Sequence, residues 1–445
     1  MLTFYAYQSP GYNDSQEGVF KTGNEKYWKL YRDMGLNMMF LSGDNSYDGE
    51  EWETSNTKKC FDIAKKLGIK KVLLRDFRIY ERILGGKDVD KAVKGLVGEN
   101  YQFKTEKELD EYVKNCLKDY IYEEEFTGVS LIDEPTAFNV TAYAELYNSI
   151  KRAATELGKP DILIQTMIER LYFSHYRNAI GKIDYFGIDL YPFKYAMGGE
   201  SFVFQGDYFH SLKVYADYAK KNNSEFGMVL QSFELIGDWY PNSFHRLFSA
   251  NEMMLQMNAV LGFGCKSIGF YTFLNMTVGR ATDPGYYADD NSSPINSQGL
   301  KTIFYYWCKN AIDYANQVEE FIEGYKYDGA NLYYGKKKSD LRQFYAMGGL
   351  YASEFKEVNE VNLDDHIALM TRLVKGDKVL YMFENVFDDA LSKSPYEKMK
   401  AEVIFNDVKE VEVFRNGEVE RVKLKDCKYN VTLSSGEAVF LKIIK

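Results

Sequence analysis

The chain has 445 residues, 45% of them apolar and 27% charged, with a formal net charge of −10. That length exceeds one ordinary core and points to two domains, while the negative balance, without any basic stripe, excludes a nucleic-acid surface or an anionic-membrane anchor. No apolar run approaches the roughly 18 residues of a membrane span, and Met1-Leu2-Thr3-Phe4-Tyr5 lacks the basic start and apolar stretch of an export signal. The sequence as it stands therefore reads as cytoplasmic, or as secreted if a signal peptide has been removed. The five cysteines are scattered without C-x-x-C spacing, and the four histidines show no metal-ligand spacing, so neither a metal nor a cofactor is expected. Aromatics make up 16% of the chain, including 37 Tyr. Their flat apolar faces with polar edges suit sugar rings, and serve equally as core.

In chain order, Leu2 to Tyr7 is strand-like and Glu25 to Met34 carries Tyr27, Leu30, Tyr31 and Met34 on one helical stripe. A turn at Gly35 leads into a strand ending at Ser42-Gly43-Asp44. The alternation then repeats: helix 61–67, strand 71–74 ending at Arg75-Asp76, helix 109–122, strand 128–133 ending in Asp133-Glu134-Pro135, helix 141–157 and strand 162–166. Next come helix 172–180, strand 183–188 ending at Asp189-Leu190-Tyr191-Pro192, helix 209–221, and strand 226–230 running into Gln231-Ser232-Phe233-Glu234. A long helix over 244–261, a strand over 267–273 and a helix over 301–321 complete the set. Eight alternations without a Gly-rich phosphate turn predict a (β/α)8 TIM barrel over residues 1–325. Beyond it, short runs over 331–334, 367–374, 379–385, 402–405, 411–414, 419–424 and 438–444, separated by turn signals such as Asn416-Gly417 and Ser435-Gly436, predict a small antiparallel β-sandwich over 326–445.

In such a barrel the strand C-terminal ends are the functional candidates. They are Tyr7 and Gln8, Asp44, Arg75 and Asp76, Asp133 and Glu134, Gln165, Asp189 and Tyr191, Gln231 and Glu234, and Tyr271. Carboxylates, amides and tyrosines suit a hydroxyl-rich carbohydrate substrate. Cleaving a glycosidic bond needs one carboxylic acid to protonate the leaving oxygen and a second carboxylate as nucleophile or base. Glu134 fits the acid, because its neighbour Asp133 and a partly dry barrel mouth both raise a carboxyl pKa. Trp239 and Tyr240 offer a stacking platform past the seventh strand, and Arg75 stands where it would orient Glu134 or bind an acidic substituent.

Ile132-Asp133-Glu134-Pro135 resembles the Asn-Glu-Pro of retaining glycoside hydrolases with (β/α)8 barrels, the clan that includes cellulases and β-galactosidases. Gly187-Ile188-Asp189-Leu190-Tyr191-Pro192, Val229-Leu230-Gln231-Ser232-Phe233, the stretch from Gly264 to Tyr271 and the C-terminal Ser435-Gly436-Glu437-Ala438-Val439 are similar to members of the same clan. The resemblance implies Glu134 as acid/base. Two residues depart from it. Asp133 stands where the clan has an asparagine, and the seventh strand ends in Gln231, an amide that cannot attack a sugar, where the clan has its nucleophilic glutamate. The second carboxylate then comes from Glu234, or from Asp189, or is missing, the last alternative being a carbohydrate-binding barrel without catalysis. The sugar, its linkage and the oligomeric state are not legible.

Overall fold

In the computed structural model the described residues are 1–7, 9–10, 24–79, 103, 105–195, 202–204, 207–234, 245, 249–274, 291–296, 298–335, 352–387 and 397–444. Eight parallel strands form the inner layer: β1 (Thr3–Ala6), β2 (Met39–Leu41), β3 (Val72–Leu74), β4 (Phe126–Asp133), β5 (Leu163–Met167), β6 (Tyr185–Asp189), β9 (Glu225–Gln231) and β10 (Ser267–Tyr271). A short hairpin, β7 (Phe193–Tyr195) with β8 (Phe202–Phe204), follows β6. The hydrogen-bonded order is β1-β10-β9-β6-β5-β4-β3-β2. The circle closes between its ends, where the N–H groups of Asn37 and Met38 both donate to the Phe4 carbonyl at 3.0 and 3.1 Å. The barrel expected from the eight alternations is the one observed.

Helices α1 (Asn24–Asp33), α2 (Asn56–Leu67), α3 (Glu106–Leu117), α4 (Val140–Glu156), α5 (Arg170–Ile180), α6 (Tyr208–Asn222), α7 (Ala250–Gly262) and α8 (Ile303–Phe321) form the outer layer. The seventh starts later than the periodicity of 244–261 predicts. Ser249 caps it by accepting from the Glu252 N–H, while the Glu252 carboxylate accepts from the Ser249 N–H, and this reciprocal box fixes the first turn. Among the described residues no helix is long and apolar enough to cross a membrane.

The lumen is filled rather than open. Tyr5, Tyr7, Met38, Phe40, Leu73, Met167 and Val229 pack together inside it. Large rings fit because neighbouring strands carry glycine: a Cβ on Gly227 would sit 2.1 Å from the Tyr185 hydroxyl, and one on Gly269 would sit 2.7 Å from the Tyr5 ring. Side chains of alternating size are what closes a barrel of eight strands without a pore.

Beyond α8 come β11 (Lys326–Tyr334), β12 (Val358–Leu363), β13 (Ile367–Lys375), β14 (Lys378–Asn385), β15 (Met399–Phe405), β16 (Glu410–Arg415), β17 (Glu418–Lys423), β18 (Lys428–Leu433) and β19 (Ala438–Ile444), which build two antiparallel sheets, one of six strands (β11-β13-β14-β19-β16-β17) and one of three (β12-β15-β18). The six-stranded sheet is apolar on both faces. Leu369, Leu380, Met382 and Phe440 join the barrel's core, whereas Ala368, Met370, Tyr381 and Phe383 face the smaller sheet. Burial on both faces explains why β13 (Ile367–Lys375) and β14 (Lys378–Asn385) read as nearly unbroken apolar runs instead of alternating ones. The sheet lies close on α7, where a Cβ on Gly262 would meet the Met382 methyl at 2.2 Å.

Candidate active site

β4 delivers its acids through an irregular register. Ser130 pairs with Gln165, and the next pairing is Asp133 with Met167, so β4 spends one residue more than β5 over this interval. A bulge of this kind reverses the alternation locally. It turns Asp133 to the lumen side, where its charge is felt by Tyr5, Tyr7 and Tyr191. The chain then bends sharply. Glu134 has φ of +47°, and its N–H donates to the Met167 carbonyl at 3.1 Å. Left-handed backbone is unfavourable for a glutamate and marks a position over-determined by its surroundings. Pro135 ends the strand, and Thr136 opens the next turn with its hydroxyl donating to Asn139 at 2.9 Å.

The side chain of Glu134 enters a cleft of about 240 Å³ bounded by the ends of β4, β5 and β6 and the start of α6. Asp189, the last residue of β6, lines the same cleft, and the charge of Glu134 acts on it there. Partial desolvation of the carboxyl in the cleft, then the charges of Asp133 and Glu169, hold Glu134 above the ordinary glutamate range. Burial, reinforced by the charge of Glu134, pushes Asp189 up to about 7, although the Tyr191 hydroxyl donates to its Oδ2 at 3.2 Å. Asp133 rises to about 6, chiefly through burial, against the pull of Arg75. Three acids so placed cannot all ionise cheaply, and the group keeps a proton up to about neutral pH.

Beside the acids stands an aromatic wall. Tyr191 meets Phe233 at 5.0 Å and Tyr271 at 5.7 Å between ring centroids, Phe233 meets Tyr271 at 5.1 Å, and Tyr7 meets Tyr271 at 6.2 Å. Arg75 lies over the Phe40 ring at 5.5 Å and acts on Asp133 by its charge.

Other strand-end candidates are occupied elsewhere. Asp76 is buried and receives the Arg78 guanidinium at 2.7 Å and the Tyr120 hydroxyl at 2.9 Å, so it knits β3 to the segment after α3 instead of facing a ligand. Gln165 is fully buried and donates to the Tyr5 hydroxyl at 3.0 Å inside the lumen. Gln231 is also fully buried: its Oε1 accepts from the Phe193 N–H at 3.1 Å and its Nε2 donates to the Phe193 carbonyl at 3.2 Å. This amide clamp fastens the hairpin after β6 and leaves Gln231 nothing to offer a substrate. Glu234 is buried, accepts from the Ser292 hydroxyl at 3.4 Å, and does not line the Glu134–Asp189 cleft. Asp44 lies in a 3₁₀ turn after β2. Its side chain, with Gln8, Trp239 and Tyr240, lies outside the described residues.

The cleft also contains residues that the strand tips alone do not reveal, namely Glu169, Arg170, Asp207 and Ser211. Glu169 and Arg170 follow β5 by two and three residues. Reading past each tip into the start of the next helix is the signal that finds them.

No protein-family model matches the chain, and no curated protein sequence matches it. Solved structures do. An α-amylase from Anoxybacillus superposes with a TM-score of 0.54 at 11% identity, covering 100% of this chain and 98% of that one. A glycoside hydrolase matches with a TM-score of 0.54 at 10% identity over 100% of this chain and 92% of that one. A family 5 glycoside hydrolase from Bacteroides vulgatus gives 0.52 at 12% identity over 100% and 89%. At such identities the likeness is one of fold, and the chain has a glycoside hydrolase-like fold, a parallel eight-stranded barrel followed by antiparallel sheets.

Proposed function

We propose that this protein hydrolyses a glycosidic bond in an oligosaccharide or glycan, with Glu134 as general acid and Asp189 as the second carboxylate. The observation that carries the reading is that these two carboxyls line one cleft at the strand ends of the barrel, where the charge of Glu134 acts on Asp189. Burial and mutual repulsion keep a proton on the pair near neutral pH, and a general acid has to carry one when substrate arrives. Retaining enzymes hold their carboxyls about 5 Å apart, and inverting ones roughly 6.5 to 9.5 Å. The reading takes the retaining course, which the resemblance of Ile132-Asp133-Glu134-Pro135 to retaining glycoside hydrolases implies. Asp189 attacks the anomeric carbon as Glu134 gives its proton to the leaving oxygen. Water then attacks the anomeric carbon as Glu134, now a base, takes its proton, and the bond to Asp189 breaks to free that carboxylate. The tyrosine wall supplies faces for the ring.

One feature supports a second reading, a carbohydrate-binding barrel without turnover: the tip of β9 bears an amide committed to the Phe193 backbone. A panel of aryl glycosides and plant and microbial oligosaccharides, assayed with wild type, Glu134→Gln and Asp189→Asn, separates the two. Hydrolysis of at least one member, reduced about 10²- to 10⁴-fold by Glu134→Gln, is the expected result. Binding with no turnover by wild type favours the second reading, and turnover indifferent to both substitutions removes the pair from the chemistry.

A further inference from the structure

The cleft is lopsided in charge. Four carboxyl groups, from Glu134, Glu169, Asp189 and Asp207, line it with a single guanidinium, Arg170, which is itself paired to Asp207 at 3.3 Å. Among the described residues no three of His, Cys, Asp or Glu gather closely enough to hold a metal ion. A second observation points to a ligand. Ser211 is fully buried, lines the same cleft, and its hydroxyl has no hydrogen-bond partner among the described residues. A buried hydroxyl left unmet costs free energy unless a ligand or water completes it.

We propose that the cleft selects glycans bearing a free amino group, a protonated amino sugar, over neutral sugars and against uronic acids. An ammonium has three donors and no acceptor, which matches carboxylates and a hydroxyl converging from different elements, Glu169 before α5 and Asp207 and Ser211 at the start of α6. A uronate meets the same carboxylates as a like charge, and a neutral sugar forgoes the charge-assisted hydrogen bonds. This inference rests on the hydrolase reading for the word substrate, but the selectivity belongs to the cleft and is measured by binding.

The test uses full-length protein carrying Glu134→Gln, which stops turnover, titrated calorimetrically at pH 7 and low salt with three probes: the β-1,4 tetramer of glucosamine, cellotetraose and a tetramer of galacturonate. The amino tetramer is expected to bind about tenfold more tightly than cellotetraose, as one added charge-assisted hydrogen bond provides, with the uronate weakest. The preference is expected to shrink severalfold at high salt and with Glu169→Gln added, an exposed change that leaves folding intact. Ser211→Ala, which removes a hydroxyl without a partner among the described residues, is expected to weaken the amino tetramer while the protein stays folded. Equal or tighter binding of cellotetraose or the uronate, or no binding of the amino tetramer, overturns the proposal. An intact amine preference in a wild-type protein that turns over nothing sinks the hydrolase reading alone, whereas turnover of neutral glycans without amine preference sinks this inference alone.

Discussion

Glu134 occupies a conformation that suits glycine better than glutamate, and its carboxyl sits among other acids. Both features oppose stability, and neither is expected of a residue kept for packing. Glu134→Gly is therefore predicted to leave thermal stability unchanged or to raise it by up to about 1 kcal/mol, while abolishing hydrolysis; a clear loss of stability by calorimetry would show that the side chain supports the fold. Asp189 gives a signed pH prediction. Its pKa in the folded protein, about 7, lies above the ordinary aspartate value of about 3.9. The folded state thus binds more protons than the unfolded between about pH 4 and 7, and the contribution of Asp189 to stability falls as pH rises through that window. Asparagine does not titrate. The Tm advantage of Asp189→Asn over wild type is predicted to be larger at pH 8 than at pH 5, and a pH-independent difference would contradict the raised pKa. At this scale the sequence showed Glu134 and Asp189 as strand-end acids, but not that they meet in one cleft. Their meeting depends on a one-residue bulge in β4 that no periodicity reports.

Strand and helix patterns were readable because each element buries one face or both. β18 (Lys428–Leu433) and β12 (Val358–Leu363) escaped, since their exposed faces carry Lys, Asn and Glu and only half of each strand is apolar. The hairpin β7–β8 was hidden for another reason: it is held by a side chain on a different element. Gln231 donates to and accepts from the backbone of Phe193, a pairing that needs an amide. Gln231→Glu, which would install a carboxylate at the tip of β9, is predicted to destabilise the protein by about 1–3 kcal/mol, because a carboxylate can only accept and would face the Phe193 carbonyl. It is also predicted to add no hydrolytic activity. A stable Gln231→Glu protein with increased turnover would show that β9, rather than β6, is the natural source of the second carboxylate.

Barrel and sandwich meet over a continuous apolar interface, and one residue there breaks the pattern. Glu384, on β14, is fully buried, and neither of its carboxylate oxygens has a hydrogen-bond partner among the described residues. Tyr208 from α6 and Tyr314 from α8 feel its charge, and burial holds its pKa well above the usual range. Ionisation in place is costly, so the folded state keeps the proton and stability falls as pH rises toward the folded pKa. Glu384→Met is predicted to stabilise the protein by about 1–3 kcal/mol at pH 5 and by more at pH 9, read as Tm; destabilisation at both pH values would mean that the carboxyl has a partner. The layered architecture was legible from alternation and turn chemistry, whereas this docking surface was not, because a buried glutamate at the end of an apolar strand reads like any strand-ending acid. The central claim is that Glu134 supplies a proton to a leaving group. It is tested most directly by comparing Glu134→Gln with wild type on a 2,4-dinitrophenyl glycoside, whose leaving group needs no proton, and on an oligosaccharide with the same sugar, whose leaving group does. Cleavage of the activated glycoside within about tenfold of wild type, with oligosaccharide hydrolysis down about 10²- to 10⁴-fold, is the predicted result; equal losses on both substrates, or none on either, would contradict it.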